Sequence, residues 1–143
     1  MSHISVYIHF VWSTKYRVPF LNSYELRQKV WKHMKENAME KGIHIDFING
    51  HNDHCHCLVS IKPKQNMSDI IRLIKGESSF WINKNALCQG HFEWQKEYYA
   101  VSVSHTMLPI VRHYINTQEE HHRNKSYLDE ENILIERYDL VKY

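Results

Sequence analysis

The sequence predicts an α+β fold: a four-stranded antiparallel sheet of the ferredoxin-like split βαβ type, with helices on one face and a further C-terminal helix. Three observations predict it. Short segments alternate apolar and polar residues with period two, and longer segments carry apolar residues every third or fourth position. The two kinds follow one another as β-α-β-β-α-β, the order of the split βαβ unit.

Each element has its own signal. In residues 3–12, Ile4, Val6, Ile8, Phe10 and Trp12 share one side, and His3, Ser5, Tyr7 and His9 the other. A loop with Lys15, Arg17 and Pro19 follows. Asn22 or Ser23 caps a helix whose stripe Leu26, Val30, Met34, Ala38 ends at Gly42. Residues 43–49 read as a second strand, turning through Gly50-His51-Asn52-Asp53, and residues 54–61 as a third, closed by Lys62-Pro63-Lys64. Asn66 or Ser68 caps a second helix with Ile70, Ile71, Ile74, Ser78 and Trp81 on one side, Arg72 and Lys75 toward the other. Residues 83–97 are polar and aromatic without a clear period. Residues 98–104 alternate again, with Tyr99, Val101 and Val103 on one face. Thr106 caps a third helix that accommodates Pro109 in its first turn and runs to about residue 120. The tail, residues 123–143, is charged, with a short helix around 129–138. The chain 1–143 therefore reads as one domain with its core in residues 3–122. The split βαβ order puts both crossover helices on one face of the sheet and leaves the other open, where a site is expected.

Composition sets outer bounds. A chain of 143 residues supports one core, and no apolar run approaches the roughly 20 residues of a membrane span. The opening MSHISVYIHF lacks signal-peptide order, and three cysteines (Cys55, Cys57, Cys88) make an odd number suited to a reducing, cytoplasmic setting. Net charge is only +2, but residues 1–84 hold 12 Lys/Arg against 7 Asp/Glu, and residues 85–143 hold 6 against 9. With 12 histidines, nine tyrosines and four tryptophans, this permits nucleic-acid binding without establishing it.

The segment Asp53-His54-Cys55-His56-Cys57-Leu58-Val59-Ser60-Ile61 carries the most chemistry. Histidines at i and i+2 of a strand project from one face, about 6–7 Å apart, and can share a metal ion. Cys55, Cys57, Val59 and Ile61 form an apolar row on the opposite face, so His54 and His56 look over the open one. Among twelve histidines such a pair also arises as ordinary strand decoration. A structural zinc site is disfavoured, because a strand cannot turn all four side chains to one ion and CxxC spacing is absent. In the third helix Tyr114 and Gln118 stand at i and i+4, with His122 continuing the row and His121 one step around. Leu108, Val111 and Ile115 would face the core, leaving Tyr114 at its border. Locally, Tyr114 equally suits an amphipathic packing role and Gln118 a surface one.

Taken together, these segments resemble the single-tyrosine HUH transposases of small insertion sequences, the IS200-like transposases that move as single-stranded DNA. The resemblance rests on His54-Cys55-His56 preceded by Asp53, on His9-Phe10-Val11-Trp12 followed by Lys15-Tyr16-Arg17, and on Ile74-Lys75-Gly76 with Ser78-Ser79. Val111 with Tyr114-Ile115 and Gln118 completes the ordered set, from about residue 3 to residue 122. It implies that His54, His56 and Gln118 bind a divalent metal, Mg or Mn, and that Tyr114 on a C-terminal catalytic helix attacks the scissile phosphate. A covalent 5′-phosphotyrosyl intermediate and a free 3′-hydroxyl would follow. It also implies a homodimer acting on DNA hairpins, with no membrane and no small-molecule cofactor. Lys15, Arg17, Arg72, Lys75 and His122 are the expected DNA contacts. Where many relatives have a glycine pair before the tyrosine helix, this chain has Ser104-His105. Three other readings stay open: a domesticated relative that processes genomic hairpins, a non-catalytic single-strand-binding module, and a hydrolase without covalent catalysis.

Overall fold

A computed structural model describes residues 1–122, 126–138 and 143. Its elements are β1 (Tyr7–Ser13), α1 (Tyr24–Glu40), β2 (His44–His51), β3 (His54–Ser60), α2 (Met67–Lys84), β4 (Tyr99–Val103), α3 (Leu108–Asn116), α4 (Gln118–His121) and α5 (Tyr127–Tyr138). The four strands form one antiparallel sheet in the order β2-β3-β1-β4, so β3 and β1 are the inner pair. The predicted α+β architecture is the one observed.

One face of the sheet packs on α1 and α2. Ser23 caps α1 by accepting a hydrogen bond from the Leu26 amide, and Val30, Trp31, Met34 and Ala38 are buried. Gly42, at φ +74°, takes the left-handed conformation that ends this helix. Asn66 caps α2 in the same way through the Asp69 amide, and Ile70, Ile71, Ile74 and Ile82 join the same core. Phe10, Trp12, Cys55, Cys57 and Val59 meet them from the sheet. The irregular stretch before β4 is held here too: Phe92 and Trp94 are buried, and the Trp94 indole donates to Ser78 Oγ at 2.8 Å.

Four details differ from the sequence reading. β1 begins at Tyr7 rather than at residue 3, because its partners run out there: Tyr7 pairs with Ser60 on β3 and Val103 on β4. Ile4 and Val6 are consequently exposed. β2 extends through Gly50 and His51, so the turn is only Asn52-Asp53. Gly50 is required on that extension, since a Cβ would collide with the His54 carbonyl oxygen. The third helix is broken: a 3-10 turn at His105–Met107 leads into α3, Thr106 caps nothing, and Thr117 separates α3 from α4. Thr117 Oγ1 bonds back to the His113 carbonyl at 2.9 Å, a local competitor of the helical ladder.

The fourth difference matters most. The second face of the sheet is not open. Leu108 and Ile115 of the tyrosine helix pack on Leu58, and Tyr127 of α5 packs on Val11 and Tyr99. The tail helix expected around 129–138 is present as α5, starting two residues earlier. Residues 123–125 and 139–142 of the expected tail lie outside the described residues. No described helix is long and apolar enough to cross a membrane.

Candidate active site

Strand parity puts Cys55 and Cys57 in the core and turns His54 and His56 to the opposite face, where both are fully buried under α3, α4 and α5. Each imidazole is oriented through Nδ1. His54 Nδ1 lies 2.9 Å from Asp53 Oδ1, and Asp53 is itself fixed because its carbonyl accepts from the Thr14 amide at 2.8 Å. His56 Nδ1 lies 2.9 Å from His9 Nε2. Burial and the neighbouring His56 push His9 down to about 3, which keeps it neutral and able to accept. With Nδ1 so engaged in both, His54 and His56 present Nε2 to the space between sheet and helices.

Gln118 and His122 meet the pair from α4 and the turn after it. Gln118 Oε1 is 3.1 Å from His54 Nε2 and 3.1 Å from His122 Nε2. The position of α4 is set from far away in sequence: Arg27, buried on α1, forks onto both Glu119 carboxylate oxygens at 2.8 and 2.9 Å. Tyr114 on α3 sets its ring edge-on to His56, with centroids 5.5 Å apart, and at 6.4 Å from His9. The structure therefore brings Tyr114, His54, His56 and Gln118 together within one chain. His122, expected at a DNA surface, is turned into this cluster instead; its side chain is 4% exposed.

Sequence reasoning missed the residue at the centre. Glu130, on α5, is 4% exposed and stands among all of these groups. Its Oε1 lies 2.7 Å from His56 Nε2 and 3.2 Å from Gln118 Nε2, and it accepts a hydrogen bond from the Tyr114 hydroxyl. Its Oε2 lies 3.2 Å from His54 Nε2 and 2.8 Å from His122 Nε2. Burial alone would raise its pKa, but His56 and the bonds from His122 and His54 hold the carboxyl far below the usual range. A glutamate in a charged tail gives no sign of this. The available signals were Tyr127 at the start of the helix and Ser126 with Asp129, which cap it reciprocally.

A pH dependence follows. Burial would lower His54, yet the bonds from Asp53 and Glu130 outweigh it and raise its pKa from 6.5 to about 9. That contribution is complete below pH 6.5 and lost as pH rises toward 9. His9 is shifted the other way, so below pH 6.5 the unfolded chain takes up a proton that the folded one refuses. Glu130, held far below the usual range, adds a further loss only below about pH 4.5, where the unfolded carboxyl takes up its proton. Urea unfolding of the chelator-treated protein is expected to show greatest stability near pH 6.5, falling by on the order of a few kcal/mol toward pH 4.5 and pH 9. A monotonic rise through pH 9 would contradict the His54 assignment.

The remaining expected contacts lie elsewhere. Lys15 pairs with Glu93 at 2.9 Å, and Arg17 reaches Glu131 at 3.6 Å beside the Tyr127 ring. Arg72 and Lys75 line a groove of about 510 Å³ on the α2 side, with Gly76, Trp94, Lys96 and Tyr98. Arg72 is exposed beside Asp69, whereas Lys75 donates to the Gln95 and Lys96 carbonyls, and burial lowers it to about 8. These cations do not join the histidine cluster.

The donor set suits a divalent metal. His54, His122 and Glu130 offer ligand atoms all within 4.8 Å of one another. Among the described residues, His56 Nε2 is buried with the Glu130 carboxylate 2.7 Å away as an ion-pair contact. Imidazole nitrogens with a carboxylate and an amide oxygen are ordinary ligands for Mn or Zn and workable ones for Mg.

A model of the IS200-like transposase family matches residues 2–118. The ISDra2 transposase TnpA of Deinococcus radiodurans is 25% identical over 118 residues, covering 78% of this chain and 83% of the relative. A crystal structure of a candidate transposase from Deinococcus radiodurans R1 superposes with TM-score 0.65 at 23% identity, covering 82% of this chain and 93% of that one. A REP-associated tyrosine transposase, solved bound to a REP hairpin, gives TM-score 0.63 at 14% identity, covering 85% and 72%. At these identities the structural likenesses carry the fold. The family match ends at Gln118, so His122 and Glu130 lie beyond it.

Proposed function

The chain belongs to the IS200-like transposase family, and from that premise we propose that it cleaves and rejoins single-stranded DNA through a covalent 5′-phosphotyrosine at Tyr114. The observation that carries this reading is one carboxylate oxygen. Glu130 Oε1 lies 2.7 Å from His56 Nε2 and accepts the Tyr114 hydroxyl, so the tyrosine and one histidine of the pair converge on a single oxygen, while His54 faces the other oxygen of the same carboxylate at 3.2 Å.

In the proposed reaction the Tyr114 oxygen forms a bond to phosphorus and the bond from phosphorus to the 3′ oxygen breaks. The strand on one side stays linked to the enzyme through its 5′ phosphate, and the other leaves with a free 3′-hydroxyl. Attack by another 3′-hydroxyl reverses the step and joins strands without ATP, because the phosphoester is preserved. The Glu130 carboxylate orients the Tyr114 hydroxyl; the tyrosine proton passes to solvent and the departing 3′ oxygen takes one from solvent, so the step balances. His54, His56 and Gln118 would hold a divalent metal, Mg or Mn; bound there, it would supply charge stabilisation to the non-bridging phosphate oxygens. Asp53 and His9 keep the two imidazoles in the tautomer that such binding needs.

The substrate we propose is single-stranded DNA marked by hairpins, in line with the hairpin bound to the REP-associated structural neighbour. Lys15 and Arg17, in the 3-10 turn that follows β1, are proposed as contacts to backbone phosphates. Arg72 and Lys75, on the other side of the sheet, would contact DNA outside the cleavage site. A cytoplasmic homodimer is proposed on family grounds. Tyr114 reaches its own chain's histidines, so that dimer would not be needed to deliver the nucleophile.

The test is incubation of the full chain with hairpin-bearing single-stranded DNA and Mn²⁺, followed by denaturing electrophoresis. A protein–DNA band that survives denaturation and requires the metal is expected. Binding with neither cleavage nor a band would favour the non-catalytic module, and cleavage without a band would favour a hydrolase.

A further inference from the structure

His54 Nε2 faces two oxygens, Gln118 Oε1 at 3.1 Å and Glu130 Oε2 at 3.2 Å. His122 Nε2 faces the same two groups, at 3.1 and 2.8 Å. The Nδ1 of His54 is engaged by Asp53. His54, His122 and Glu130 thus bring ligand-type atoms within 4.8 Å of one another. The spacing fits a metal. Two ligands each about 2.1 Å from one ion, at octahedral or tetrahedral angles, stand about 3.0–3.4 Å apart. Between the proposed ligands, Glu130 Oε2 stands 3.2 Å from His54 Nε2, inside that range, and 2.8 Å from His122 Nε2, just below it.

We propose that the segment beyond the family match completes the metal centre, with His122 and Glu130 as ligands beside His54 and His56. The proposal rests on the metal-assisted reading above and adds to its ligand set. The chain's C-terminal helix would then be held down by the ion as well as by Tyr127, which packs on Val11 and Tyr99. Imidazole nitrogens with a carboxylate suit Mn²⁺ better than Mg²⁺, so Mn²⁺ is the probe.

The experiment is equilibrium binding of Mn²⁺ to the full chain without DNA, by calorimetry and by loss of the free-ion paramagnetic resonance signal. Wild type, Glu130→Gln, Glu130→Asp, His122→Asn and His54→Ala/His56→Ala are compared. Glu130→Gln and His122→Asn are each expected to weaken Mn²⁺ by about tenfold or more, and Glu130→Asp to retain most of the affinity. The proposal is overturned if both weakened variants bind Mn²⁺ as tightly as wild type, or more tightly, while the double histidine variant loses it. In that case the metal-assisted reading survives and Glu130 is only an anion resting in the site. If wild type itself binds no Mn²⁺, the metal-assisted reading fails as well. Circular dichroism checks folding, and should Glu130→Gln unfold, His122→Asn decides by the same criterion.

Discussion

Tyr114→Phe is expected to lower single-strand cleavage by on the order of 10⁴-fold or more, because it removes the attacking oxygen and leaves no other route to the covalent intermediate. The same substitution should change hairpin-DNA affinity by no more than about twofold, since the ring keeps its contacts and phosphate cations set affinity. That split can be anticipated from the structure. The Tyr114 ring rests edge-on against His9 and His56 and tilted against His121, contacts that Phe preserves, whereas the hydroxyl's bond to Glu130 is lost. Cleavage of a labelled hairpin strand, measured beside its equilibrium binding, separates the two effects. An equal loss in both would mean that Tyr114 serves the DNA-binding surface rather than the chemistry.

The double substitution His54→Ala/His56→Ala is expected to abolish divalent-metal binding and to cut cleavage by about 10³-fold. It should also destabilise the metal-free protein near neutral pH. Glu130 would keep His122 but lose two of the three imidazoles facing its carboxylate, leaving a buried charge poorly compensated. A cost of about 3 kcal/mol is the ordinary size for breaking such a buried pair, and chemical denaturation reads it directly. Unchanged cleavage with unchanged metal affinity would remove the histidine pair from the mechanism.

How much of this was legible in the sequence depends on how local each signal is. Strand parity depends only on the residues themselves, so Cys55 and Cys57 facing inward and His54 and His56 facing the other way could be read directly. Helix caps are equally local, and Ser23 and Asn66 cap as expected. Tyr114 and Gln118 look like ordinary amphipathic positions on their own, and only the resemblance singled them out. Thr117, with a hydroxyl that competes for helical carbonyls, carried a signal for the break that the apolar stripe obscured.

Arg27 and Glu130 were illegible for a different reason. A charged residue is presumed solvated unless a partner accompanies it into the interior, and both partners come from distant parts of the chain. Arg27 meets Glu119 across 92 positions, and Glu130 on the last described helix meets histidines on β3. The face predicted to be open was covered for the same reason. Its lid includes a helix rich in acidic residues, on which Tyr127 is buried and Glu130 pairs only in three dimensions.

The proposed reaction turns on Tyr114 becoming covalently joined to DNA. Mass spectrometry of the proteolysed reaction mixture, after digestion of the DNA to short remnants, tests it most directly. A 5′-phosphonucleotide mass is expected on the peptide containing Tyr114, formed only with divalent metal and absent from Tyr114→Phe. A nucleotide remnant on any other residue, or cleaved DNA with every peptide unmodified, would contradict it.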